Sequence, residues 1–433
     1  MKGKISRVLA TVLCLGIVGG VATSVSACGG KSDKLVIWAW DENFNIKAAN
    51  EAKKYYDGEM EISVVNMAQS DIVAKLNTAF SSGVATDMPD IVLIEDYRAH
   101  QYLTNYDNSL MDLSSYLDKT KFAEYKVEAA SLDGKIYGVP FDSGVAGLFY
   151  RTDMLEGIVG EDEGCIVTDA AMQSGITWSQ YIEIGKALKE KTGKALLTLD
   201  PSDIGQIRMM MQSAGSWYVD DAGKAYIQDN EALKEGIEVY KKLNEAGVVK
   251  SVSDWNSFVQ AFQQGDVATV PTGCWIAPSI SAKTDQSGKW KVAPLPRLEA
   301  TKNASNYSNL GGGAWYVLNS SKHKEESAKF LASTFGSNLD LMNALAKEIQ
   351  LVSSLKDAKT LSNYTTPNAF FSEQKIFEDF SNWTAQIPAV TYGNYTYDAE
   401  SIMATQVKAF VQGTQTLETT LSNGQTEVAK LIK

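Results

Sequence analysis

Between Lys34 and Ile94 the chain alternates between β-branched runs and helix-patterned segments, and this alternation limits the fold more than any other feature. Lys34-Leu35-Val36-Ile37-Trp38-Ala39-Trp40 reads as a strand, Asp41-Glu42-Asn43 as a turn and N-cap, and residues 46–56 as a helix. Residues 61–66 predict a second strand, 71–80 a helix opened by Asp71, and 90–94 a buried strand that ends in Glu95-Asp96-Tyr97. Strands separated by helices predict a parallel α/β sheet covered on both faces, with its ligand crevice beyond the carboxyl ends of the strands. Trp40, Asp41, Glu42, Glu95 and Asp96 all fall at that edge.

The residues before this region have another character. Lys2, Lys4 and Arg7 precede an uncharged apolar run from Val8 to Ala22, and Val25-Ser26-Ala27-Cys28 closes it with small residues before a cysteine. The pattern predicts a lipoprotein signal over 1–27, cleaved before Cys28, whose thiol then carries a lipid with palmitate among its acyl chains. Residues 28–34 follow as a short, flexible linker. No second run has the roughly 18 uncharged apolar residues that a membrane span needs, so the lipid is the expected anchor.

Removing the signal from the 433-residue chain leaves 406 residues, more than one hydrophobic core usually serves, which predicts two lobes. The signal holds three of the 40 basic residues and none of the 52 acidic ones, so the remaining body carries a net charge of −15. That balance repels phosphates, and nucleic acid is excluded as a partner. Ile136 to Pro140 reads as a short strand leading through Asp142-Ser143-Gly144 into the apolar run 145–150, a passage suited to a hinge. A second α/β body follows, with helices at 178–191, 201–215, 231–246 and 255–264. Residues 265–270 read as a strand entering the loop Pro271-Thr272-Gly273-Cys274-Trp275. The glycine loop at 311–313 carries the chain back to a strand at 315–318, ahead of a helix at 324–335. The expected division is lobe 1 at 35–142 and 313–372, and lobe 2 at 146–309 and 375–433.

Several chemistries are missing. The two histidines, His100 and His323, sit among polar neighbours and read as solvated, which leaves no His-rich metal site. Neither a nucleophile-elbow motif nor a phosphate-cradling glycine loop is present. Cys165 and Cys274 stand 109 positions apart, and two free thiols are a plainer reading than a bridge. Asp41, Glu42, Glu95, Asp96 and Asp142 lie at strand ends, where a pair could serve a lipid-anchored glycoside hydrolase. Carboxylates also accept hydrogen bonds from sugar hydroxyls without cutting anything, and they are read here as binding residues first. Trp40, Trp217, Trp275, Trp315 and Tyr395 lie in or beside predicted loops, where flat rings suit the apolar face of a pyranose.

The chain resembles the extracellular solute-binding proteins of carbohydrate ABC importers, the broad family that includes maltose-binding protein. The stretches that carry the likeness are 34–38, 90–93 before Glu95-Asp96, 137–140 with 148–153, 261–265 running to Gly273-Cys274-Trp275, and 329–331. The resemblance implies a two-lobed periplasmic-binding-protein-like fold with a multi-strand hinge, closing on a mono- or oligosaccharide that an ABC permease then takes. It implies no catalysis, no cofactor, no metal, and a monomer on the extracellular face of the cytoplasmic membrane. Trp275 resembles the family's stacking tryptophan, Asp96 its polar contact, Glu42 a sugar contact after the first strand, and Tyr395 its C-terminal aromatic. Gly312, Gly313, Trp315, Trp217 and Asp142 complete the expected binding set; Asp142 departs from the family's carboxylate position. Trp40 beside the turn implies a sugar smaller than, or shaped differently from, linear maltodextrin. The runs Trp38-Ala39-Trp40-Asp41 and Gly144-Val145-Ala146-Gly147 are similar to importers for lactose, arabinose or short oligosaccharides in Gram-positive bacteria.

Overall fold

Eight strands build the two larger of four sheets in the computed structural model, which describes residues 34–106 and 108–432. The expected signal and Cys28 lie outside these residues. In chain order the strands are β1 Lys34–Ala39, β2 Glu61–Asn66, β3 Ile91–Glu95, β4 Gly138–Pro140, β5 Ala146–Arg151, β6 Thr269–Gly273, β7 Trp290–Ala293 and β8 Gly313–Val317. The larger sheet has the order β2-β1-β3-β8-β4, and the smaller β6-β5-β7.

β1 runs parallel to β2 and β3, as helix-separated strands should. The wholly parallel sheet expected from the alternation is corrected by β8, which lies antiparallel to β3 and β4. Gly313 pairs with Glu95, the last residue of β3, so the returning chain enters the sheet at the edge where β3 leaves it. A strand entering there can only run back. The smaller sheet is antiparallel throughout.

Both faces of the larger sheet are covered, which fits its near-continuous apolar strands. Leu35, Ile37, Leu93, Trp315 and Val317 pack in one core with the helices Asn45–Ala52, Lys324–Ser333 and Leu339–Ile349. Trp38, Val92, Ile94, Ala314 and Tyr316 point the other way, toward the helices Gln69–Ser82 and Asp96–Asn105. The smaller sheet divides its side chains likewise. Phe149, Val270 and Val292 join Phe380 on one face. Leu148, Tyr150 and Ala293 join a core built with the helices Trp178–Thr192, Glu231–Glu245 and Thr396–Val411.

Local departures from the sequence reading have local causes. β6 continues through Pro271 to Gly273, where a loop was expected; it is an edge strand, which tolerates a missing N–H, and the Pro271 carbonyl accepts from Gln206 Nε2 at 2.8 Å. The helix expected over 201–215 starts only at Gly205, because Asp200 and Asp203 turn the chain first, accepting from the N–H groups of Ser202 and Gly205. β7 was not expected. His100, read as solvated, is half-buried with Nδ1 2.8 Å from Asn394 Oδ1.

Chain passages at 141–145 and 294–312 link the two sheets, and they run side by side where Val145 bridges Asn309. Gly311 and Gly312 take φ of 91° and 93°, a region that L side chains avoid. A Cβ on Gly312 would lie 2.9 Å from Asp96 Oδ2, so glycine is also needed there for space.

Candidate functional site

A cavity of about 370 Å³ opens where these passages meet the carboxyl end of β3, the start of the helix Gly205–Ser213 and the end of β6. Trp275 follows β6 on a tight turn, and its Nε1 donates to the Leu310 carbonyl at 2.8 Å, which fixes the ring against the crossing strand. Trp255 heads the helix Trp255–Gln263, held by the Asp254 cap, and leaves 53% of its surface exposed. The two indoles lie 5.9 Å apart at 37°, and both border the cavity.

The rest of the lining is charged and aromatic. Glu95 accepts from Arg98 Nε at 2.9 Å, and the Arg98 guanidinium sits 4.2 Å over the Tyr397 ring. Tyr97 stacks on Trp217 at 5.5 Å and takes the Arg208 guanidinium at 4.9 Å, while its hydroxyl accepts from the Gly311 N–H at 3.0 Å. Burial pushes the Tyr97 phenol up to about 12, so it stays neutral. Arg208 donates to Glu400 at 2.5 Å. Burial works against the Arg208 cation, but Glu400 and the surrounding tyrosines outweigh it and hold its pKa above the ordinary value. Gln206 Oε1 and Arg208 Nε are buried without partners, leaving one acceptor and one donor uncommitted on residues that line the cavity.

The structure separates the twelve residues expected to bind ligand. Glu95 and Trp275 line the cavity, and Trp40 shares a small adjoining recess with Glu95 and Arg98. Asp41 is exposed at φ 60° and spends its carboxylate on the N–H groups of Asn43 and Phe44, as a turn residue; Glu42 beside it is exposed. Trp217 is buried beneath Tyr97, with Nε1 donating to Thr396 at 3.0 Å. Trp315 is buried against Phe141 and Phe335, since its position on β8 faces the core. Asp96, Asp142, Gly312 and Gly313 cluster at the crossing rather than along the cavity lining: Asp96 pairs with Lys126 Nζ at 2.5 Å, and Asp142 Oδ1 accepts from the Gly313 N–H at 2.8 Å. Tyr395 is half-buried just before the helix Thr396–Val411, and it is Tyr397, two residues on, that reaches the cavity. Tyr97, Arg208 and Trp255 were not foreseen. Trp255 alone carried a signal, an indole at a helix start.

Residues 46–372 match the model of bacterial extracellular solute-binding proteins. The chain belongs to that family. Its setting is therefore extracellular or periplasmic, and its family role is binding for transport rather than catalysis. A lactose-binding protein of Rhizobium radiobacter is 40% identical over 386 residues, covering 88% of this chain and 89% of the relative. An arabinooligosaccharide-binding protein of Bacillus subtilis is 26% identical over 76% of this chain and 75% of its own. Among solved structures, an extracellular solute-binding protein of family 1 aligns with a TM-score of 0.76 at 20% identity, covering 92% of this chain and all of the other. The galacto-N-biose-/lacto-N-biose I-binding protein of Bifidobacterium longum aligns at 0.70 and 22%, covering 93% and 98%. These likenesses establish a two-lobed α/β fold.

In this solute-binding protein Asp96 is the buried carboxyl with a marked shift: burial raises its pKa to about 6 despite Lys126. A folded pKa above the ordinary 3.8 means that the fold takes up a proton more readily than the unfolded chain. Asp96 thus contributes most below the unfolded value, and that contribution is lost as pH rises through 6. The melting temperature of the wild type relative to Asp96→Asn should therefore rise on going from about pH 7.5 to about pH 5. Parallel melting curves across that interval would show that Asp96 does not titrate there.

Proposed function

We propose that this chain captures a galactose-containing di- or oligosaccharide between its lobes and hands it to an ABC permease. The observation that carries the reading is the lactose-binding relative, 40% identical across 88% of this chain, together with the Trp255–Trp275 pair at the cavity. The lobes are taken as 35–142 with 313–372, and 146–309 with 375–433. Cys28 is the lipid-bearing first residue of a monomer held on the outer face of a Gram-positive cell membrane. Glycoside hydrolysis finds no support among the relatives, and Asp96 and Asp142 are engaged by Lys126 and Gly313.

Indole faces pack on the C–H patch of a pyranose while Glu95, Gln206 and Arg208 take hydroxyls. A sugar that touches Glu95 and Tyr97 from one lobe and Trp255 and Trp275 from the other gains those contacts together only when the lobes are shut, so it draws the population toward closure. Calorimetry of the purified protein against lactose, lacto-N-biose, arabinobiose, maltose, a tripeptide and divalent cations should give heat with the galactosides. Trp275→Ala should weaken that binding by about 1–3 kcal/mol, as loss of a buried stacking face does. A folded Trp275→Ala protein with unchanged affinity, or a preference for peptide or cation, would overturn the reading.

A further inference from the structure

We infer that the binding site continues beyond the first cavity into a second compartment along the helix Thr396–Val411, which makes the protein selective for galactosides longer than a disaccharide. This rests on the carbohydrate reading above and adds chain length to it. A cavity of about 500 Å³ lies between the turn at 201–203 and that helix, and it shares Asp203, Arg208 and Tyr397 with the first cavity. The two spaces therefore adjoin at these three residues, and Glu400, the partner of Arg208, lines only the second of them.

The helix presents Tyr397, Glu400, Ser401, Ala404, Thr405 and Lys408 to the second compartment. Their spacing of three and four residues places all six on one helical face. Ser401, Thr405, Lys408 and Asp203 are exposed, so hydroxyls, an ammonium and a carboxylate border the space, while Tyr397 supplies an aromatic ring at the junction. Such a mixture fits a hydroxyl-rich chain leaving the first cavity better than it fits an apolar ligand. The junction also holds an uncommitted polar atom, the buried Arg208 Nε. Both borders rest on one core, which contains Leu199, Ile204, Met403 and Val407. Much of the compartment's border is therefore carried by one packed core, and a longer sugar can dock there before closure.

The test is calorimetry with lactose and with β-galactooligosaccharides of three and four units, on wild type, Ser401→Trp and Thr405→Trp. The tetrasaccharide should bind about tenfold more tightly than lactose to the wild type, a difference of about 1.4 kcal/mol. Each exposed-site tryptophan should remove that advantage and leave lactose binding in place. Equal affinity for all lengths, tighter binding of lactose, or variants that keep the advantage would overturn the second compartment while leaving the sugar reading intact. Absence of binding by every galactoside would instead remove the sugar reading and this inference with it.

Discussion

Arg208→Met should lower the unfolding free energy by about 3–5 kcal/mol and abolish tight sugar binding, because it strands the largely buried Glu400 carboxylate without its cation. The Arg208 and Glu400 side chains are 11% and 12% exposed, and burial already raises the Glu400 pKa against the pull of Arg208. The same guanidinium lies over Tyr97, which follows β3, while it pairs with the helix Thr396–Val411. It therefore ties two sides of the cavity with one side chain. Arg208→Met with Glu400→Leu should recover much of the stability, since an apolar pair replaces the buried ions without leaving either alone. Binding should stay lost in that double variant, because the guanidinium that borders the cavity and lies over Tyr97 is gone. Urea denaturation and calorimetry on the three proteins separate the two effects. A single variant as stable as the wild type would mean that water reaches Glu400 in the folded protein.

How much of this was legible beforehand depended on distance along the chain. β1 and β2 stand where the β-branched runs placed them, and the helix Glu231–Glu245 differs from expectation by one residue, because pattern and capping are local. The direction of β8 was not legible, since it depends on where a chain segment more than two hundred residues after β3 enters the sheet. Trp217 and Trp275 make the same point. Each lies two residues after a glycine, Gly215 and Gly273, and the two looked alike as loop tryptophans. Tyr97 and Tyr392 close over Trp217, whereas among the described residues Trp255 is the one ring against Trp275, which remains half-buried. No short stretch of sequence encodes which rings will cover which. Arg208 was missed for the same reason: its partners Tyr97, Tyr397 and Glu400 come from distant segments and define its role only once packed.

Lys126→Met should produce a loss that depends on pH in a way a merely packed lysine would not. Lys126 is buried, with Nζ 2.5 Å from Asp96 and 2.9 Å from the Gly313 carbonyl, and Asp96 Oδ1 has no partner of its own. At about pH 8 the variant must either bury an unpaired carboxylate or protonate it far above the ordinary carboxylate value of 3.8, and a cost of about 3–5 kcal/mol is expected. Near pH 5 Asp96 is readily taken up neutral, so the cost should shrink, leaving chiefly the lost bond to Gly313. Adding Asp96→Asn should flatten that pH dependence. The Gly313 carbonyl lies where β8 begins, directly after the left-handed Gly311 and Gly312, so Lys126 anchors the crossing strand at its entry into the sheet. Loosening that anchor should also raise the rate of sugar dissociation, because Gly311 and Leu310 border the cavity and Leu310 holds Trp275. Equal denaturation midpoints for Lys126→Met and wild type at about pH 8 would show that the pair adds nothing to the fold, and an unchanged dissociation rate would separate the crossing from the binding site.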